Sequence, residues 1–141
     1  MRREIRIAGF GGQGVITIGV LLAKAVGEAR GMPVAQTQSY GPESRGGACK
    51  TDVVISDAGI DYIKPLHLEW PLAMSQPATD KYQAEMAESA GILAERTVVN
   101  EVPARCARFG RVLRIPATDI AELHLGLRAA ANVGTLGPVA R

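Results

Sequence analysis

Two stretches of this 141-residue sequence concentrate residues whose types and spacing could do chemistry. The first is Gly9-Phe10-Gly11-Gly12-Gln13-Gly14, in which Gly9, Gly11 and Gly14 satisfy G-x-G-x-x-G. Glycines at that spacing allow a tight turn and close backbone approach, and a helix starting behind them offers unpaired N–H groups to an anion. The loop therefore reads as a dinucleotide site, as an anion-binding or backbone-docking loop, or as a purely structural turn. A dinucleotide site also needs an Asp or Glu about 20 residues on, at the end of the next strand, to hold a ribose hydroxyl. Gln36, Thr37 and Gln38 stand there instead, and Glu28 falls too early, inside the following helix.

The second stretch runs from Gln36 to Ala48 and contains Gln38, Ser39, Tyr40, Gly41, Glu43, Arg45, Gly46 and Gly47. It follows an expected parallel strand, and ligands of open α/β sheets gather beyond such strand ends. Gly41-Pro42 and Gly46-Gly47 give two turns, so the loop doubles back and can present Glu43 and Arg45. That pair could clamp a partner or orient a ligand carboxylate or phosphate. It could equally be a solvated ion pair worth about 0–1 kcal/mol.

Other chemistries find little support. Cys49 and Cys106 lie far apart without C-x-x-C spacing, which excludes a disulfide scaffold, a cysteine zinc site and an iron–sulfur site; both are expected to be buried, reduced thiols. His67 and His124 have no companion at metal-ligand spacing, and Ser39 and Ser44 lack a His/Asp relay. Gly11-Gly12-Gln13 matches the tripeptide of peptide-release factors and Gly11–Gly14 the G-x-x-G of KH domains, but a net charge of +2 gives no strong basic footprint for nucleic acid. Arg105, Arg108, Arg111 and Arg114 recur every third residue and are expected to form a solvated or subunit-facing rim.

The elements that must position the two loops follow from periodicity. Glu4–Gly9 reads as a first strand, then the glycine loop, then a helix from Val15 to about Arg30 with Val15, Ile18, Leu22, Ala25 and Ala29 on one face and Gly31 as its C-cap. The uncharged run Ile7–Ala23 has 17 residues, short of the roughly 20 that span a bilayer, and holds five glycines; it reads as strand, loop and helix. Pro33–Ser39, Cys49–Ser56, Leu72–Ser75, Ile92–Asn100 and Arg111–Ile115 are further strands, with helices expected over Ala78–Ser89 and from Pro116 to about Ala131. Alternating strands and helices imply one α/β domain over residues 1–141, a Rossmann-like three-layer sandwich with a mainly parallel sheet. Antiparallel members are expected among the later strands.

The sequence resembles the gamma subunit of 2-oxoacid:ferredoxin oxidoreductases. The resemblance is carried by Gly-Phe-Gly-Gly-Gln-Gly-Val-Ile-Thr from Gly9, Thr-Gln-Ser-Tyr-Gly-Pro-Glu-Ser-Arg-Gly-Gly from Thr37, and Thr51–Ser56. Ala73–Gln76, Asp80–Tyr82, Gly91–Leu93, Ile115–Thr118 and Asn132–Gly137 extend it over nearly the whole chain in order. It implies a Rossmann-like subunit that assists oxidative decarboxylation of a 2-oxoacid such as pyruvate or 2-oxoglutarate to its acyl-coenzyme A. Thiamine diphosphate, magnesium and iron–sulfur clusters would sit on alpha, beta and ferredoxin-like delta subunits, with ferredoxin as electron acceptor. No Gly-Asp-Gly…Asn signature for thiamine diphosphate is present, so the isolated chain is expected to be inactive and to bind none of these groups alone. The resemblance implies partner-facing or cofactor-binding roles for Gly9, Gly11, Gly12, Gln13 and Gly14 and for Gln38, Ser39, Tyr40, Gly41, Glu43, Arg45, Gly46 and Gly47. It also implies a cytoplasmic setting without nucleic acid or membrane, and a sheet incomplete at its C-terminal end, since the family continues beyond this region. A free-standing NAD- or FAD-binding Rossmann domain is the alternative.

Overall fold

The computed structural model describes residues 1–41 and 47–125; Pro42, Glu43, Ser44, Arg45, Gly46 and the Asn132–Gly137 motif lie outside them. Nine residues, Arg2–Phe10, form β1; then come α1 (Val15–Arg30), β2 (Val34–Ser39), β3 (Ala48–Ser56) and β4 (Leu72–Ala73). After these come α2 (Gln76–Tyr82), a 3₁₀ turn (Gln83–Glu85), β5 (Ile92–Glu95), α3 (Ala104–Arg108), β6 (Val112–Ile115) and α4 (Ala117–Leu125). The six strands lie in one sheet in the order β2-β3-β1-β4-β5-β6.

β1, β4, β5 and β6 are mutually parallel, while β3 runs antiparallel to both β1 and β2. The antiparallel member thus falls in the first half of the chain, not among the later strands where it was expected. Connection length accounts for this: residues 40–47 are too few for a parallel crossover, which takes a dozen or more, so β3 must return beside β2. The later strands have room, and α3 provides the crossover between β5 and β6.

Alternation along β1 sends its side chains to two layers. Ile7 packs with Val15 and Ile18 of α1, with Ile5 at the margin, whereas Ala8 packs with Ala78 and Tyr82 of α2. Beyond β1, Ala73 and Ile92 pack with Met86 and with Cys106 of α3. Helices therefore cover both faces, as the three-layer reading requires. Both cysteines are buried in separate cores, and burial pushes each thiol above its ordinary value. Among the described residues no helix is long and apolar enough to cross a membrane.

α1 buries Val15, Ile18, Gly19 and Leu22. Its stripe then continues through Val26 toward β3 and not through Ala25 and Ala29, which are exposed. Gly31 closes the helix in the left-handed region at φ 62°, donating its N–H to Gly27 C=O. Two expected elements are shorter than their periodicity suggested. Met86 takes an extended backbone and enters the second core, ending the helical run at Glu85. β5 ends at Glu95 because that buried carboxylate accepts the N–H groups of Thr97 at 2.7 Å and Val98 at 3.0 Å and turns the chain. The expected helix from Pro116 is seen as α4, and its continuation past Leu125 lies outside the described residues.

Gly19 lets α1 lie directly on β3: a Cβ there would fall 2.6 Å from Thr51 Cγ2, with Thr51 itself fully buried. Gly19→Ala gains about 1 kcal/mol of helix propensity but overpacks a site whose neighbours are β-branched, at about 1–3 kcal/mol. A net loss of stability is expected in urea titration; a more stable variant would show that helix and sheet separate freely.

Candidate functional site

The C-terminal ends of β1, β2 and β4 and the start of β3 share one rim of the sheet. Phe10 pairs with Ala48, so the glycine loop leaves β1 directly beside the last residue of the second motif. There Gly11 N–H donates to Gly47 C=O at 3.2 Å, joining the two motif loops. Gln13 ties the same loop to β4: its Oε1 accepts Phe10 N–H at 2.7 Å and its Nε2 donates to Met74 C=O at 2.8 Å.

Gly12 and Gly14 have φ of 93° and 74°, a region closed to most side chains, and Gly14 is the N-cap of α1. Gly9 serves differently: a Cβ on it would lie 2.5 Å from Gln13 Oε1 and 2.8 Å from Val15 Cγ2. Gly11 and Gly12 are exposed, as are Gln38, Ser39 and Tyr40, whereas Gly41 and Gly47 are half-buried. Gly41 packs under the loop, since a Cβ there would be 2.8 Å from Ala48 C=O. Glu43, Arg45 and Gly46 lie outside the described residues.

The loop's N–H groups are largely engaged within the protein. Phe10 N–H goes to Gln13, Gly11 N–H to Gly47, and Gln13 N–H to Phe10 C=O at 3.2 Å. A dinucleotide cradle needs such donors facing outward and an acid at the second strand's end. β2 offers Gln36, whose Nε2 donates to Thr51 Oγ1 at 2.7 Å, and Thr37, whose C=O accepts from the Thr51 hydroxyl at 3.0 Å.

A second constellation, absent from the sequence-based candidates, lies on the face opposite α1. Arg6 of β1 is buried and pairs across the strands with Asp52 of β3 through Nε at 2.7 Å and Nη2 at 2.9 Å. Its Nη1 reaches Glu85 at 2.6 Å, where Lys50 Nζ also binds at 2.7 Å, and Lys50 stands 4.7 Å from the centre of the Tyr82 ring. Arg6, Lys50, Asp52 and Glu85, with Thr37, Gln38, Ser39, Tyr62, Lys64 and Pro65, bound a cleft of about 420 Å³. Only the register β1–β3 reveals the Arg6–Asp52 pair; in sequence the two are separated by 46 positions.

In the arginine series, expected as a solvated or subunit-facing rim, Arg108 and Arg114 are exposed, while Arg105 and Arg111 are half-buried. Arg105 donates to Gln83 C=O, Arg111 to Ser89 C=O at 2.7 Å, and Arg114 to Val99 C=O at 2.6 Å, so three of the four clamp backbone between elements. Arg111 also stacks over Trp70 at 5.0 Å, while Arg108 is exposed. His67 is exposed, and among the described residues no group of three His, Cys, Asp or Glu is placed to hold a metal.

Fold and rim together define an α/β subunit whose motif loops are braced against each other. Residues 4–141 match the family model described as pyruvate ferredoxin/flavodoxin oxidoreductase. The 2-oxoglutarate synthase subunit KorC of Methanocaldococcus jannaschii is 41% identical over 143 residues, covering 100% of this chain and 75% of that protein. The ketoisovalerate oxidoreductase subunit VorA of Methanothermobacter thermautotrophicus is 34% identical over 134 residues, covering 95% of this chain and 27% of that one. The solved gamma subunit of a keto/oxoacid ferredoxin oxidoreductase from Geobacter sulfurreducens PCA superposes with a TM-score of 0.82 at 34% identity, covering 99% of this chain and 75% of that chain. The chain belongs to the pyruvate ferredoxin/flavodoxin oxidoreductase family. The gamma-subunit reading is borne out, and the free-standing NAD or FAD domain is not supported.

Two tests follow from this geometry. Gln13→Leu removes both ends of the brace and leaves Phe10 N–H and Met74 C=O without that partner, a loss of about 1–3 kcal/mol by chemical denaturation; unchanged stability would mean the loop is held elsewhere. Burial alone would raise the Glu85 carboxyl, but hydrogen bonds from Lys50 and Arg6 outweigh it and hold it below the ordinary 4.5. Burial would likewise raise the Glu4 carboxyl, but hydrogen bonds from the His67 N–H and the Arg2 guanidinium outweigh it and hold that group below its ordinary value. Both groups are depressed on folding, so their stabilisation is complete above the unfolded value and is lost as pH falls through the lower folded values. Urea midpoints should drop below about pH 4.5, and the double variant Glu4→Gln/Glu85→Gln should flatten that drop. An equally steep profile in the variant would place the acid sensitivity on other groups.

Proposed function

We propose that this chain is the gamma component of an assembly of alpha, beta and ferredoxin-like delta chains that oxidatively decarboxylates a 2-oxoacid and passes the electrons to ferredoxin. The rim carrying Gly11, Gly12, Tyr40 and Gly47 is the face it presents to the companion chains, in the cytoplasm. The hydrogen bond from Gly11 to Gly47 carries this reading, because it makes one surface of two motifs that the sequence separates. Tyr40 stands 65% exposed beside it, a side chain enriched in the buried centres of interfaces.

Thiamine diphosphate, magnesium and iron–sulfur clusters are assigned to the companion chains. The two cysteines here are buried in different cores and cannot share a cluster, and Asp52, Glu85, Glu4 and Glu95 are engaged in ion pairs or backbone hydrogen bonds. The described residues do not fit those groups. What the chain supplies is a rigid rim: three sheet strands fix where the loops stand, and Gln13 and Gly47 hold the glycine turn in one conformation.

Co-expression with the neighbouring genes should recover the chain bound to subunits carrying thiamine and ferredoxin-type motifs, with 2-oxoacid-dependent ferredoxin reduction only in the assembly. Tyr40→Ser should leave the melting temperature of the chain within a degree or so and weaken assembly about tenfold or more, as loss of a central interface aromatic does. A chain that purifies alone, or a variant that assembles as well as the parent, overturns the rim as the docking face.

A further inference from the structure

Two cations converge on a single oxygen at the wall of the cleft. Arg6 Nη1 lies 2.6 Å and Lys50 Nζ 2.7 Å from Glu85 Oε2, and Lys50 also reaches Oε1 at 3.0 Å. The cations are fixed without Glu85. Asp52 holds Arg6 by two hydrogen bonds, the Arg6 side chain is only 5% exposed, and Lys50 is seated on the Tyr82 ring. Glu85 is the loose partner: it ends a single 3₁₀ turn, its side chain is 46% exposed, and no hydrogen bond to its carboxylate comes from its own turn.

The cleft beside this pair has the dimensions of a small-molecule site, at about 420 Å³ against roughly 300–1,000 Å³ for typical ligand pockets. Thr37, Ser39 and Tyr62 line it, and Lys64 adds a third cation with no carboxylate partner among the described residues. We propose that Arg6 and Lys50 form a binding site for the carboxylate of a small organic acid, and that Glu85 is an internal occupant which the incoming acid displaces. Once Glu85 swings out, Arg6 and Lys50 set against Asp52 leave one positive charge, the complement of one carboxylate. The fork of Arg6 is already spent on Asp52, so the two cations offer one guanidinium N–H edge and one ammonium at the place the Glu85 carboxylate fills, which suits another carboxylate.

The cleft adjoins the rim through Gln38 and Ser39 but lies on the face opposite α1, and its test is run on the unassembled chain. Propionate, which has no oxo group to be decarboxylated, is the probe, titrated into the full chain with two-dimensional NMR reading Lys50, Glu85 and their neighbours. The parent should show weak saturable shifts. Glu85→Gln, which removes the competing charge at an accessible position, should bind propionate about tenfold more tightly, and Glu85→Gln/Lys50→Met should lose saturation. Inorganic phosphate should bind Glu85→Gln less tightly than propionate. Either of two results overturns the proposal: no saturable shift in parent or Glu85→Gln, with only a lower melting temperature in the variant, marks the network as a structural tie between turn and sheet; tighter phosphate than propionate removes the carboxylate assignment. Glu85→Ala, which cannot hydrogen-bond either cation, repeats the test should Glu85→Gln retain the closed contact. Assembly measured with Tyr40→Ser is untouched by any of these outcomes.

Discussion

Nine residues of β1 pair in unbroken antiparallel register with nine of β3, from Arg2 opposite Ser56 to Phe10 opposite Ala48. Because side chains alternate with period two, this register decides which residues meet on each face of the sheet. It sets Ile7 on the α1 side, where it packs with Cys49, and brings Arg6 to Asp52 on the other. At its far end it delivers Gly11 to Gly47, so the same ladder that builds the core also closes the rim. β4 then adds a parallel neighbour along Ile7 and Ala8, which is why Gln13 finds Met74 C=O within reach.

The rim is rigid for reasons that differ from residue to residue. Gly12 and Gly14 supply backbone geometry, Gly9 supplies space, and Gln13 supplies hydrogen bonds in both directions. Loops that present a binding surface generally depend on a scaffold to hold them, and here the scaffold is three strand ends and the start of a fourth. The loop donors turned inward to Gln13 and Gly47 are unavailable to a pyrophosphate.

Local signals in the sequence carried a large part of this. Glycines around a strand–helix junction, an uncharged amphipathic run closed by Gly31, and apolar strand centres each report their own neighbourhood, and β1, α1 and β3 lie close to where those signals placed them. Long-range partners carry no such signal. Arg6 reads as one of several basic residues near the start until Asp52 is set beside it, and Glu95 reads as the interior of a strand over Ile92–Asn100 until its carboxylate is seen gathering Thr97, Val98 and Thr118 N–H groups. The arginine period of three was real but spans a five-residue helix and a strand, so it had no single face to describe. The direction of β3 was open to inference from the shortness of the 40–47 connection, a length argument that strand propensity does not contain.

The Arg6–Asp52 pair is the least economical way to fill the space between β1 and the elements covering it. Two apolar side chains there would avoid a desolvation cost of several kcal/mol per ion. What the charges add is intolerance of error: sliding β1 by one residue would carry Arg6 to the α1 face, among Ile18 and Leu22, with no carboxylate to meet it. An unpaired buried charge costs about 3–5 kcal/mol or more, comparable to the whole stability of a small domain. The ion pair therefore excludes the slipped register more strongly than it favours the correct one. With the register excluded from slipping, Phe10 cannot move from Ala48, and the meeting of Gly11 with Gly47 becomes a consequence of a buried charge pair, Arg6 five residues before Gly11 and Asp52 five residues after Gly47.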